Sequence, residues 1–596
     1  MKNIIVPFMA GLALVSSAKA AEATTSLESL LPAETVLVMA TPDYATAKKH
    51  FKAGASGQFW DSAEFKPFRK KLTDGFEANI LDKIEEQLAG DFEAFEEMAS
   101  GPVALAVVPG LAAGEEPALL LLLDAGRKSF TLRRTLSQMK RDWKKADRNV
   151  SETEIGGIDF TTVSEPGGQG QVHIGRVDAK LIVGTATGQI EGVLARLNGK
   201  GDGTLAANPA FAADHSALLK GADFYTWANF GKVIPQLLDI APDGAALGID
   251  FGEVFGSLGL DGLSTFAVTY SERPDGAHAE LFIGLPEVKR KGLFSLLETR
   301  RADASPPPFV PANVSAFSRW RVDMGAAWKN LEKLLLELSP DVANMVEFTV
   351  GLLGKDKDSN FDFKKSFLNN FGDDLILFQM PPNGKSLNEL GTGAMAALVM
   401  SPNPAELIKG IGAVPGILPP PLNEATLEPR KLGKHTAHSF GLMELPDPST
   451  GELVASEVFF AVKDGYLAIA TDTDLMRGLL DSKAQTPLAK RERLASAAAV
   501  VGGIDSGFFG YQNDRAMISN VMDTLRSNAD QFEMIFSMIP MEGLDEVGLD
   551  SWFDFSVLPK GEEVAKYFDI TVYGAKTDAR GVTLKMFSPR PPDLKR

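Results

Sequence analysis

The sequence predicts an α+β protein made of two tandem copies of one module, each with a mainly antiparallel sheet and packed helices. Three observations carry that expectation: a gapless internal match, flanking segments that recur in the same order, and short links between consecutive strands. In the match, residues 172–194 align with 458–480, so that Val172, Asp178, Leu181, Thr185, Thr187, Gly192 and Leu194 recur as Val458, Asp464, Leu467, Thr471, Thr473, Gly478 and Leu480. Each copy reads as a strand, a turn at Asp178-Ala179 or Asp464-Gly465, and a second strand. Asp-Gly between apolar runs is a strong hairpin signal. A helix follows, with a Thr or Asp placed to cap it and with Ile190, Val193 and Leu194, or Met476, Leu479 and Leu480, on its apolar face.

The remaining elements fall in order around this unit. Leu31-Pro32-Ala33 is answered by Val310-Pro311-Ala312, each before a short strand that ends near Asp43 or Asp323 and enters a helix. Asp91-Phe92 with Gly101 is answered by Asp362-Phe363 with Gly372, leading into strands at 103–108 and 375–380. Gly156 and Gly433 each separate two short strands, and the aromatic strand Phe224-Tyr225-Thr226-Trp227 is answered by Phe508-Phe509-Gly510-Tyr511. A hairpin closes each copy, 264–270 with 277–284 and 567–573 with 582–588. Short hairpin links require antiparallel pairing, which makes the class α+β rather than doubly wound.

The expected organisation is a signal peptide at 1–20, module one at 21–300, a proline-rich linker at 301–308, module two at 309–588 and a frayed tail at 589–596. Lys2, the apolar stretch 4–15 and the small residues ending in Ala18-Lys19-Ala20 have the order a signal peptidase reads, so the mature chain is expected to begin at Ala21, in the periplasm or outside the cell. Pro306-Pro307-Pro308 favours an extended, stiff link and a restricted angle between the modules. No later stretch reaches the roughly 18 apolar residues of a membrane span, so no transmembrane segment is expected. There is no cysteine, which excludes disulfides, thiolate chemistry and a lipidated N-terminal cysteine. A net charge of −18 argues against nucleic acid as a partner, since a polyanion releases no counterions on binding a polyanion.

Reaction motifs are missing. Gly384-Lys385-Ser386 has Gln379 where a phosphate-binding loop needs its first glycine, and His438-Ser439-Phe440-Gly441 has Ala437 where a nucleophile elbow needs one. His435 and His438 lie three apart on a strand and so face opposite sides. Asp356, Asp358 and Asn360 have calcium-loop spacing, but Phe361 stands in place of the turn glycine and Phe367 in place of the bidentate glutamate. The expectation is therefore no metal and no cofactor, with Asp362 capping the next helix. Met534, Met538 and Met541, with Met517 and Met522 upstream, have helical spacing that suits core packing, a Cu(I) site or an adaptable partner-binding face. Met522, Met534 and Met538 are the partner-binding candidates, and the expected partner is an envelope protein, peptide or glycan.

The openings Leu31-Pro32-Ala33-Glu34-Thr35, each with an apolar strand, an aspartate and a helix behind it, resemble a domain-of-unknown-function family of exported bacterial proteins. Val310-Pro311-Ala312-Asn313 departs from that pattern in lacking the acidic-Thr pair. The resemblance implies an envelope location and no characterised activity. Positions shared by the halves are prolines, glycines, aliphatics and turn residues, with no histidine among them. That favours a non-enzymatic binding or scaffolding protein; the alternative is an envelope hydrolase with a carboxylate-based site.

Overall fold

The computed structural model describes residues 26–76, 98–110, 116–145, 149–164, 171–234, 256, 258–292, 294, 301–355, 358–382, 393–417, 425–441, 445–446, 453–454, 457–481, 486–532 and 554–594. The expected signal peptide, Asp356, Met534, Met538, Met541 and the Asp91-Phe92 segment lie outside the described residues.

The strands of the first half are β1 (Leu37–Thr41), β2 (Val103–Val108), β3 (Ala118–Asp124), β4 (Asn149–Ile155), β5 (Ile158–Ser164), β6 (Gln171–Val177), β7 (Lys180–Gly184), β8 (Phe224–Ala228), β9 (Thr265–Arg273) and β10 (Gly276–Gly284). Those of the second are β11 (Ala316–Trp320), β12 (Leu375–Gln379), β13 (Met395–Met400), β14 (Glu428–Leu432) and β15 (His435–Gly441). They continue with β16 (Leu445–Pro446), β17 (Leu453–Val454), β18 (Glu457–Lys463), β19 (Tyr466–Ala470), β20 (Phe508–Gln512), β21 (Thr571–Asp578) and β22 (Gly581–Pro589). Apart from the small pair β16–β17, all belong to one 20-stranded sheet.

Every pairing in that sheet is antiparallel. The first half runs β4-β5-β6-β7-β3-β2-β1-β8-β9-β10. The second runs β14-β15-β18-β19-β13-β12-β11-β20-β21-β22. Registers follow the same correspondence: Ile174 faces Val183 as Phe460 faces Ile469, and Leu120 faces Gly184 as Ala396 faces Ala470. Local geometry repeats as well. Asp178 (φ 52) and Asp464 (φ 47) take the left-handed conformation at equivalent hairpins, which a two-residue turn of this hand requires.

Helices cover the sheet where the apolar pattern leads. Ile190, Val193 and Leu194 of helix Thr187–Leu197 enter the first core with Leu120, Tyr225 and Trp227. Met476 and Leu479 of helix Thr473–Asp481 enter the second with Leu398, Phe509 and Tyr511. Asp43 accepts a hydrogen bond from Thr46 N (2.9 Å) and Asp323 one from Ala326 N (2.9 Å), capping their helices. Asp472 caps similarly through Leu475 N (2.8 Å), but the threonines do something else. Thr185 Oγ1 accepts from Leu119 N and Thr471 Oγ1 from Met395 N, tying the strand end to its neighbour rather than the helix start.

The halves are joined edge to edge. β10 pairs with β22 from Gly276↔Pro589 to Gly284↔Gly581, with Glu280 opposite Lys585 at the centre and their side chains 3.0 Å apart. A second contact sets Phe65, just before helix Lys66–Phe76, and Phe68 within it against Met522, Leu558 and Val564 of the second half. Lys566 reaches Glu64 at 2.7 Å and Lys71 reaches Asp554 at 3.2 Å around its margin.

Two expectations change here. The linker is built into the second half: Ala304 is fully buried in its core, Ala304 N donates to Ile504 O, and Ser305 O accepts from Arg319 Nη1. The chain end is not frayed at 589, because Pro589 closes β22, Arg590 N donates to Asp275 O and Asp593 pairs with Arg515 at 2.8 Å. Extending β22 across the neighbouring hairpin gives the last residues backbone partners that pattern reading could not supply.

Reversing one charge at the centre of the seam, Glu280→Lys or Lys585→Glu, sets like charges directly opposite one another. Each single change is expected to lower the unfolding free energy by about 0.5–1 kcal/mol, and the double exchange to restore it. Denaturant titration followed by circular dichroism measures this; single variants as stable as the parent would show that the pair does not help to hold the seam.

Candidate functional site

Where the closing hairpins meet, β9, β10, β20, β21 and β22 form the floor of a cavity of about 560 Å3. Its roof comes from helix Asp514–Ser527, the segment around Tyr567, and Ala55-Ser56 of the first half, so both halves build it. Met517, Ile518, Val521 and Met586 give it apolar walls, and the rings of Tyr270, Tyr567, Phe568 and Tyr573 line it too. Cavities of a few hundred Å3, largely apolar with a few converging polar groups, are the usual form of a small-ligand site.

Its charged groups are the carboxylates Glu272, Asp514 and Asp569 and the cations Arg273 and Arg590, with His278 beside them. Glu272, on β9, is 5% exposed; it accepts from Tyr270 Oη at 2.8 Å, while its own N–H donates to Asp223 Oδ2 at 2.9 Å. Asp223 also holds His50 Nδ1 at 2.8 Å. Gly54 is needed above Glu272, since a Cβ there would sit 2.3 Å from the carboxyl carbon. Burial pushes the Glu272 carboxyl above its ordinary range, and Tyr270 Oη is raised by burial and by the charge of Glu272.

Asp514 is the first residue of its helix, next to the cap Asn513, whose side chain accepts from Ala516 N. Thr571 Oγ1 donates to Asp514 Oδ2 and lies 2.6 Å from Ser588 Oγ; the Gln512 side chain also bonds to the carboxylate. Burial pushes Asp514 up to about 6, with the nearby Asp569 charge adding to the rise. Asp569 itself is held by Arg493 Nη1 at 2.6 Å.

The residues singled out by sequence mostly lie elsewhere. Met522 is 8% exposed and packs with Phe65 and Phe68, so the partner it meets is the first half of its own chain. Of the partner-binding candidates, Met534 and Met538 lie outside the described residues. Asp358 Oδ1 accepts from Asn360 N at 2.9 Å, Asp362 caps helix Phe363–Ser366, and Asp356 lies outside the described residues. Among the described residues no group of three or more histidine, aspartate or glutamate side chains could hold a metal ion, and no helix is long and apolar enough to cross a membrane. His435 Nε2 lies 2.9 Å from Asp481.

Two other features compete for attention. Asp374, 1% exposed, accepts from Arg319, Arg321 and Tyr466. On helix Pro340–Leu352, Met345, Phe348 and Leu352 are more than half exposed along one face. The cavity was missed by sequence reading because Glu272, Asp514, Asp569 and Thr571 share no motif: the last three meet through the fold of the second half, and Glu272 joins them only across the seam. The one available signal was the alternating polar residues in the closing strands.

No protein-family model matches the chain, and no curated protein matches it. Among solved structures it is similar to crystal form III of TP0453, at 11% identity over 44% of this chain and 81% of that chain with a TM-score of 0.24. It is similar to crystal form I of the same protein at 12% identity over the same shares, with a TM-score of 0.23. Likeness at that level bears on neither fold nor function.

Asp514 links the cavity to pH. Its carboxyl titrates above the ordinary value of 3.8, so between there and about 6 the folded chain holds a proton that the unfolded chain has lost. This contribution to stability is present at low pH and falls as pH rises through that window. Asp514→Asn is therefore expected to stabilise the protein by about 1–2 kcal/mol at pH 7 and to change little at pH 4. Denaturant midpoints at the two pH values test it; equal effects at both would remove burial as the cause.

Proposed function

We propose that the protein is an exported, non-enzymatic binding protein of the bacterial envelope, in which two copies of one module hold a small ligand at their junction. The observation that carries the reading is the cavity of about 560 Å3 built by both halves, apolar on its walls and polar at a few points. Recurrent strand order and register in the two halves support the duplication. The leader-like first 20 residues, together with the absence of cysteine, support export to the periplasm or beyond. The exposed stripe of Met345, Phe348 and Leu352 supports the scaffolding side of the reading, contact with an envelope protein or peptide.

The hydrolase reading draws on one feature, an acid held near pH 6 at Asp514 beside Asp569. Against it, Asp569 is committed to Arg493, whereas a catalytic partner carboxylate needs to face substrate or water.

A neutral fluorescent probe, N-phenyl-1-naphthylamine, is expected to bind the full-length protein saturably with one site. Val521→Trp and Met517→Trp fill the cavity and are expected to weaken that binding at least about tenfold, the loss of a buried apolar contact of this size. Non-saturable fluorescence, or binding indifferent to both variants in folded protein, would remove the cavity as the site.

A further inference from the structure

We propose that the junction cavity takes an organic ammonium ion carrying an apolar body, with the cation on Asp514 and the body among Met517, Val521, Met586 and Tyr573. This rests on the cavity being a binding site and names its ligand class. The inference starts from how the charges around the cavity are matched. Asp569 has Arg493 at 2.6 Å. His278 Nε2 lies 3.1 Å from Asp275. Arg590 Nη1 donates to Ala53 O at 3.0 Å and stands close enough to Glu272 to lower its proton affinity. Asp514, among the described residues, has only the neutral donors Thr571 and Gln512.

A largely buried carboxylate held by neutral donors is costly to ionise, and a ligand cation offsets that cost. The lining favours the same class. Aromatic faces attract cations through their quadrupole, and Tyr270, Tyr567 and Tyr573 line the space. Lys566 Nζ already sits 5.0 Å from the Tyr567 ring centroid, so a cation over these rings is a geometry the protein itself adopts. An anion placed at Asp514 would meet that carboxylate with Asp569 nearby, although Arg273 and Arg590 line the space further on. A neutral apolar compound would fill the walls but leave Asp514 as it is. The volume suits a body of one aromatic ring and a short chain better than an inorganic cation.

The test compares three probes that share one body: 4-phenylbutylamine, 4-phenylbutan-1-ol and 4-phenylbutyrate, titrated calorimetrically into the full-length protein at pH 7.5. The amine is expected to bind at least about tenfold more tightly than the alcohol, as one charge-assisted contact implies, and the carboxylate most weakly. Asp514→Asn is expected to bring amine and alcohol to equal affinity. If the alcohol binds and the amine has no advantage, or the advantage survives Asp514→Asn, the ammonium assignment is overturned while the cavity stands. If neither compound binds the parent protein, the cavity reading falls with it.

Discussion

The backbone pairing between β10 and β22 is the constraint on which the rest depends. Each half is a sheet with one short outer edge and one long inner edge, and the inner edges are used up on each other from Gly276↔Pro589 to Gly284↔Gly581. Because the register is centred on Glu280 and Lys585, the corresponding strand of each half meets the other in the same way, as subunits do across a two-fold axis. One position breaks that symmetry in chemistry. A true two-fold axis would set identical residues opposite each other there, and in this chain an acid meets a base. The seam thus prefers unlike halves over like ones, a specificity carried by one charge pair in a ladder that is otherwise backbone.

Much of the architecture was legible in particular residues. Asp178 and Asp464 marked the hairpins, and the structure gives both the left-handed conformation those turns demand. Ile190, Val193 and Met476 marked helix faces that do enter the cores. What sequence could not supply were contacts whose information is spread over backbone or over distant segments. Edge pairing depends on strand ends and register, and no side-chain pattern announces that two edges will face each other. Met522 illustrates the limit differently. Its exposure on an isolated helix would look like a recognition face, and that surface is indeed recognised, but by Phe65 and Phe68 of the same chain.

The cavity exists because the seam is flanked unequally. At the end near Gly276 and Pro589, helix Asp514–Ser527 and the 567–571 segment stand over the floor strands, and Arg590 crosses to the carbonyl of Ala53. Thr571, Ser588 and Asp514 meet there from a strand, its hairpin partner and a helix. Each carboxylate around the space is treated differently: Asp569 by an ion pair, Glu272 by burial and a phenol, Asp514 by hydroxyl and amide donors alone. Glu272 and Asp514 are both raised above the ordinary carboxylate range, chiefly by burial.

The joined sheet leaves two outer edges, β4 and β14, and both are poor templates for further growth: β4 carries Glu152 and Glu154, and β14 carries Pro429 among charged residues. The inner edges are nine-residue strands whose matching register, with Glu280 set against Lys585, is what holds the halves together. A molecule whose seam opens therefore presents two adhesive edges, each complementary to the other edge of a neighbour in the same state. Two opened chains can close on each other by exchanging halves, and a crowded population of them can continue the exchange into a chain of molecules. Keeping the concentration of opened protein low is thus a requirement built into the topology, and the covalent tether between the halves meets it by holding the correct partner nearer than any neighbour.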